Sequence, residues 1–444
     1  MQIHRLWLVV AISLGLLVGL WFVSVPDGTL GGDFWSWRKA LIYLTGVLAM
    51  GSMSLGVILA ARPVQIESAL GGLDRFYRLH KWFGVTALSL AVIHWLLEVG
   101  PRWLTQLGWL TRPARPPRAA EVVTGFDPFR DFKDIAVDLG EWSLYLLLAL
   151  VVLALWKRFP YRSFLTTHRL MAPIYLVLVF HAVILIDRSY WLMPLGPVLA
   201  LLLAGGSAAA LVALFRRIGS TRKSVGRIES LARYEDNAVL DVAVRLETAW
   251  PGHHAGQFAF VSFGDGEGAH PFTVSSAWQN DGRLLFSIKG LGDYTRTLPH
   301  QLAVGQEATI EGPYGRFDFA GERPRQVWVA GGVGITPFIA RLAALATADH
   351  DGDIDLIYCT GAPSGTFILK IAALAAKAGV GFHMVVSPRD GLLTLDRLAE
   401  WFPAWKESDI WFCGPAGFGN SLRNAMVERG LPAAQFHQEL FEMR

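Results

Sequence analysis

LHKWFGVTALSLAVIHWL (residues 79–96) and HRLMAPIYLVLVFHAVILI (residues 168–186) are two apolar runs, each carrying a histidine towards either end. His80 and His94 are fourteen residues apart, and His168 and His181 thirteen apart. An ionisable residue inside a membrane span is costly and usually marks function. With a rise of about 1.5 Å per residue, each pair is separated by roughly 20 Å along a helix. One histidine of each pair then lies near each membrane face. Two such helices side by side offer two imidazole pairs, one above the other. That is a ligand set for two haems, each held by two axial histidines. The plainer reading, polar residues packing a bundle, accounts poorly for two matched pairs.

The helical phase adds a constraint. At about 100° per residue, fourteen residues return to within roughly 40° of the same face, whereas thirteen miss it by roughly 140°. Pro173 lies between His168 and His181. A proline distorts a helix, so a tightened or kinked segment is expected near Pro173. Without one, the two haems would meet this span at different azimuths.

Six spans are expected: Leu6 to Val25, Leu41 to Ala61, about Leu79 to Leu97, about Leu139 to Trp156, about His168 to Ile186, and one within Ser189 to Phe215. The first is longer than a usual signal-peptide core and lacks a small-residue cleavage site. Basic residues set the orientation. Arg62, Arg75, Arg78 and Lys81, then Lys157, Arg158, Arg162 and Arg169, then Arg216, Arg217, Arg222 and Lys223, fall on one side. That side is expected to be cytoplasmic, which makes the two histidine spans parallel. His80 then pairs with His168 at the inner level, and His94 with His181 at the outer. The Pro/Arg-rich stretch Arg112 to Arg118 opposes this orientation, although Asp127, Asp131, Asp134 and Asp138 in the same expected outer loop offset it.

The 444 residues exceed one ordinary domain, 52% are hydrophobic, and nearly all the long uncharged runs lie before Arg216. The net charge of +3 gives no reason to expect a nucleic-acid partner. Two cysteines, Cys359 and Cys413, make neither a disulfide framework nor an iron–sulfur cluster. Both lie in the polar half, which suits a reducing cytoplasm.

From Thr221 to Ala320 short alternating runs separated by turn signals indicate an all-β domain, with strands at Ala238–Leu246, Gln257–Phe263, Arg283–Lys289 and Glu307–Glu311. His270-Pro271-Phe272-Thr273 lies just beyond a strand. An aromatic beside a hydroxyl can stack on a flavin and donate to it, although an ordinary strand start also fits. From Gly321 onward strand and helix alternate, with strands at Gln326–Ala330, Ile354–Tyr358, Phe382–Val386 and Asp409–Phe412. Gly331-Gly332-Val333-Gly334-Ile335-Thr336-Pro337 follows the first strand and opens a helix through Ala346. Gly332 and Gly334 let backbone approach a pyrophosphate at the helix N-terminus, and Pro337 suits the first turn. Cys413-Gly414-Pro415 repeats the strand-to-helix arrangement at the same edge, where open sheets bind ligands. By itself Cys413 reads as a buried structural thiol.

These pieces in this order resemble the ferric reductase and NADPH oxidase superfamily. The resemblance implies a six-helix transmembrane haem domain over residues 1–217, an FAD-binding β-barrel over 218–320 and an NAD(P)-binding α/β domain over 321–444. It implies two b-type haems on His80, His94, His168 and His181, with FAD and either NADPH or NADH. It places Phe272 and Thr273 at the isoalloxazine and His270, with Pro271 beside it, near the FAD phosphates. Gly292-Asp293-Tyr294-Thr295 resembles the family's pyrophosphate turn, with Gly292 and Thr295 as contacts. Gly331, Gly332, Gly334, Thr336 and Pro337, with Cys413, Gly414 and Pro415, resemble its nicotinamide-nucleotide motifs. Phe441, in the terminal Phe441-Glu442-Met443-Arg444, is implied to cover the flavin, so Thr273, Cys413 and Phe441 are the expected catalytic positions. Members that prefer NADPH often carry an arginine where this chain has Cys359-Thr360-Gly361. Ser387 and Arg389 are the remaining candidates for a 2′-phosphate.

The expected activity is transfer of electrons from cytoplasmic NAD(P)H through FAD and two haems to oxygen or a ferric chelate outside the plasma membrane. The expected partners are the lipid bilayer and that small acceptor. Glu98, one turn after His94, either marks a helix end or acts on the acceptor, by repelling superoxide or by binding a metal chelate or a proton. A haem-free, membrane-anchored flavin reductase and a non-enzymatic membrane subunit are the rival readings.

Overall fold

Hydrocarbon leaves a backbone no water to bond, so an apolar run that enters it becomes a helix. The computed structural model describes residues 2–26, 30–63, 72–111, 125–156, 158–348, 350 and 352–439. Two compact units divide between residues 218 and 219 among the described residues, apart from residues 72–74, which group with the second.

Among the described residues of the first unit, six helical spans are long and apolar enough to cross a membrane. They are α1 (Gln2–Ser24), α2 (Phe34–Ala60), α3 (Leu73–Gln106), α4 (Lys133–Leu155), the pair α5 (Tyr161–His168) and α6 (Met171–Leu185), and α7 (Leu195–Leu214). Helix α2 is the packing centre. Its small residues let neighbours come close: a Cβ at Gly51 would strike Leu17, and one at Gly46 would press on His94. Asp33 caps its start by accepting from the Ser36 amide at 3.1 Å.

Two expected spans are too short. Helix α3 has 34 residues and runs to Gln106, and α4 starts at Lys133, not Leu139. Asp134 and Asp138 therefore lie in a helix and not in the outer loop. Charge ends an apolar run, but a helix continues through it once its turns reach water. Of the two loop acids that remain, Asp131 closes a single turn, Pro128–Asp131, and Asp127 caps that turn and pairs with Arg188, whose guanidinium lies 4.4 Å from the Phe129 ring centroid. The Pro/Arg-rich stretch at 112–118 lies outside the described residues.

The expected distortion near Pro173 is present. Helix α5 stops at His168 and α6 starts at Met171. Across the gap the Leu170 amide bonds Thr167 at 3.0 Å and the Ala172 amide bonds Arg169 at 3.3 Å, both reaching back three residues. Pro173 has no N–H for the Arg169 carbonyl, and a proline ring crowds the carbonyl four residues back.

The second unit begins with six antiparallel strands: β1 (Lys223–Tyr234), β2 (Val239–Leu246), β3 (Phe258–Ser262), β4 (His270–Thr273), β5 (Arg283–Lys289) and β6 (Glu307–Tyr314). Their order is β4-β3-β6-β1-β2-β5. The Val274–Phe286 bridge and a 2.7 Å bond from the Ser275 amide to the Leu285 carbonyl bring the two edges together. The His270–Thr273 segment, expected just beyond a strand, is itself an edge strand. Pro271 is tolerated there because an edge does not need every N–H.

A five-stranded parallel sheet follows: β7 (Arg325–Gly331), β8 (Asp353–Thr360), β9 (Gly381–Val386), β10 (Asp409–Cys413) and β11 (Phe436–Glu439), in the order β11-β10-β7-β8-β9. Alternate residues of β7 feed opposite cores, Trp328 and Ala330 on one face and Val327 and Val329 on the other. Val239, Phe317 and Phe319 from the strand-rich half belong to the first of these cores.

Candidate functional site

Helix α3 carries His80 and His94, the end of α5 carries His168, and α6 carries His181. The His80 and His168 ring centroids are 5.8 Å apart with planes at 77°. Those of His94 and His181 are 6.4 Å apart with planes at 76°. The sequence pairing is thus the spatial pairing. Among the described residues no group of three metal-ligating side chains gathers anywhere. Two opposed imidazoles suit a metal that brings its own equatorial ligands, which a porphyrin iron does. Metal–imidazole bonds of about 2.0 Å and a ring nitrogen about 1.1 Å from its centroid require centroids roughly 6.2 Å apart. Both pairs fit.

The rings are held from behind. His80 Nδ1 lies 2.8 Å from the Gly56 carbonyl, His94 Nδ1 3.0 Å from that of Ile42, and His181 Nδ1 2.7 Å from that of Ala136. A carbonyl only accepts, so each Nδ1 carries the proton and Nε2 keeps its lone pair for a metal. Gly140 makes room: a Cβ there would stand 2.2 Å from His181 Nδ1.

Glu98 does not end its helix, which continues for eight more residues. It pairs with Arg38 at 2.6 Å, and Arg38 Nε also donates to the Leu97 carbonyl at 2.8 Å. Pro101 explains that second bond, because it lacks the N–H that would otherwise take the Leu97 carbonyl.

In the second unit, the His270 ring stacks on Tyr294 with centroids 4.2 Å apart. Tyr294 donates to Asp265 at 2.7 Å, and burial, together with this bond, raises the phenol above its usual range. Burial pushes the His270 imidazole below its usual value, against Asp265, so the ring is neutral at pH 7. Phe272 is half-buried and Thr273 buried on the same strand. Gly292 precedes the helix Asp293–Gln301, and the Thr295 hydroxyl accepts from the Leu291 and Gly292 amides, both at 3.0 Å. Thr295 shapes this turn through the turn's own amides.

The glycine turn after β7 packs against the loop after β10. A Cβ at Gly331 would meet Pro415 at 2.8 Å, one at Gly334 the Cys413 carbonyl at 2.2 Å, and one at Gly414 the Gly331 backbone at 2.9 Å. Gly332 has φ of 58°, a left-handed conformation that favours glycine. Thr336 donates to the Val333 carbonyl at 3.1 Å, and Pro337 sits in the first turn of the helix Thr336–Leu345. Cys413 is fully buried in a core, and burial pushes its thiol well up, so it stays protonated and does not line the cleft. Arg389 is paired with its neighbour Asp390. Phe441 lies outside the described residues.

A cleft joins the two halves of this unit, with Asn237, Ser287 and Lys289 on one wall and Gly332, Thr336 and Phe367 on the other. The sequence reading missed Lys289, whose ammonium lies 3.9 Å from where a Gly332 Cβ would stand. Its only signal was a lone cation closing a strand.

Residues 45–179 match a family described as a ferric reductase like transmembrane component, and residues 226–318 match an FAD-binding domain. A flavohemoprotein of Pseudomonas putida is 32% identical over 170 residues, 36% of this chain and 43% of that protein. The stachydrine N-demethylase reductase subunit of Rhizobium meliloti is 25% identical over 205 residues, 43% of this chain and 58% of that protein. The chain thus spans about half the length of these curated relatives. The FAD/NAD-binding domain of nitric oxide dioxygenase from Vibrio cholerae aligns at 24% identity and a TM-score of 0.43, over 49% of this chain and 98% of that one.

Proposed function

We propose that this chain, which belongs to the ferric reductase and NADPH oxidase-like superfamily, passes electrons from cytoplasmic NAD(P)H to an acceptor outside the plasma membrane, molecular oxygen or a ferric chelate. It is an integral membrane oxidoreductase with FAD-binding and nicotinamide-nucleotide-binding modules. The observation that carries the proposal is the stacking of two opposed histidine pairs within one bundle. When bound, FAD accepts a hydride and releases electrons singly, and each haem iron carries one electron.

The chain's own residues have four tasks. His80 and His168 hold the inner iron site, and His94 and His181 the outer one. Their protonated Nδ1 atoms, bonded to carbonyls at three of the four positions, fix the rings with Nε2 inward. His270, Pro271, Phe272 and Thr273, with the Gly292–Thr295 turn, hold the flavin. The turn from Gly331 to Pro337, with Gly414 and Pro415, accepts the nicotinamide dinucleotide, NADH or NADPH, and Lys289 offers its phosphates a cation across the cleft. With a histidine on either side, each pair would hold a haem iron that supplies one-electron transfer without binding the acceptor directly. Arg38 neutralises Glu98 on the outer side, which supports Glu98 as an anchor of α3 rather than a site for the acceptor.

His94→Leu should lose one haem and keep the other, read as haem bound per protein. Retention of both would remove His94 from the ligand set.

A further inference from the structure

We propose that the His80–His168 site is the higher-potential of the two iron sites, because His168 is the one ligand whose Nδ1 has no hydrogen-bond partner among the described residues. This rests on the haem reading above. Three of the four Nδ1 atoms meet main-chain carbonyls at 2.7–3.0 Å. His168 Nδ1 is buried and bonds nothing among the described residues. Its ring is held instead by stacking on Phe164, with centroids 5.1 Å apart. The outer site therefore has two hydrogen-bonded ligands and the inner site one.

The cause lies in the backbone. His168 is the last residue of α5, next to the break that Pro173 imposes. The other three histidines lie inside helices that press against a neighbour's carbonyl. The break aims His168 at His80 and leaves its back without such a neighbour.

The chemical consequence follows from what that bond does. An imidazole that donates its second N–H is the more basic ligand. A more electron-donating axial ligand favours ferric over ferrous iron and lowers the potential. Losing one such bond makes the inner site easier to reduce. An electron entering from the cytoplasmic side is held there, and its passage outward is the reluctant step that the acceptor must draw.

The test uses the haem-loaded full-length protein in an optical redox titration. Two components are expected. His94→Leu, which leaves the inner site, should retain the higher midpoint, and His80→Leu the lower. The reverse order, or equal midpoints, overturns the proposal. The cause is tested with His168→Gly and His181→Gly, each supplied with imidazole or with 1-methylimidazole, which cannot donate. At position 168 the two ligands should give the same midpoint. At position 181 imidazole should give the lower one. A difference at 168, or none at 181, overturns the role of the missing bond. Each comparison is made within one variant, so altered folding does not imitate it. Wild-type protein that binds no haem would instead sink the electron-transfer reading itself.

Discussion

His253 shows how a single side chain in the flavin-binding half couples stability to pH. It is 7% exposed, its Nε2–H donates to the Ser276 carbonyl at 2.9 Å, and its Nδ1 accepts from the Trp250 indole at 3.4 Å. Burial pushes its pKa below the usual imidazole value. The unfolded chain then takes the proton first, so the stabilisation is complete above about pH 6.5 and is lost as pH falls below it. The unfolding temperature, followed by tryptophan fluorescence, should fall from neutral pH towards pH ~5. His253→Gln, which cannot titrate, should flatten part of that fall. An unchanged slope would show that His253 takes up its proton at the same pH in the folded and unfolded chain. Residues differ in how openly the sequence declares them. His80, His94, His168 and His181 stand out because a histidine in an apolar run is dear. Lys289 does not, because an ammonium at a strand end is commonplace until Gly332 is seen opposite it.

Among elements, the break at Pro173 decides most. Pro173 breaks the fifth span so that thirteen residues can present two histidines to one partner helix. Pro173→Ala restores an N–H for the Arg169 carbonyl and favours one continuous helix. His168 and His181 would then diverge by roughly 140°, and haem content should fall by about half. Full haem content would mean that tertiary packing sets the break without the proline. The kink was legible from the phase of the histidines together with the proline. The lengths of α3 and α4 were not, because apolar runs report the bilayer and not the helix. Strand β1 was missed for a different reason. Two of its inward positions are Ser224 and Gly226, and a Cβ at Gly226 would stand 2.5 Å from the Arg245 carbonyl, so close packing replaced the apolar alternation. Strand β11, four residues of mixed polarity at a sheet edge, carried no pattern at all.

At the scale of the whole molecule, the two nucleotide-binding lobes share both a core and an ion pair. Lys370 meets Asp241 at 2.5 Å, Ser287 donates to the same carboxylate at 2.6 Å, and Asp241 is 5% exposed. Lys370→Met strands a buried carboxylate and should cost on the order of 3 kcal/mol in denaturant unfolding, and adding Asp241→Asn should recover most of it. No recovery in the double variant would locate the loss in packing around Tyr234 and Phe367. The order of modules along the chain was readable from composition and motif, whereas this junction was not, since Asp241 and Lys370 lie 129 positions apart and neither is unusual alone. The central claim is that nucleotide oxidation and the membrane histidines belong to one path. It is tested most directly by anaerobic difference spectra of the haem-loaded protein before and after addition of NADPH or NADH. The account predicts reduction of low-spin b-type haem by at least one nucleotide. Haem that is bound but stays oxidised with both nucleotides would contradict it.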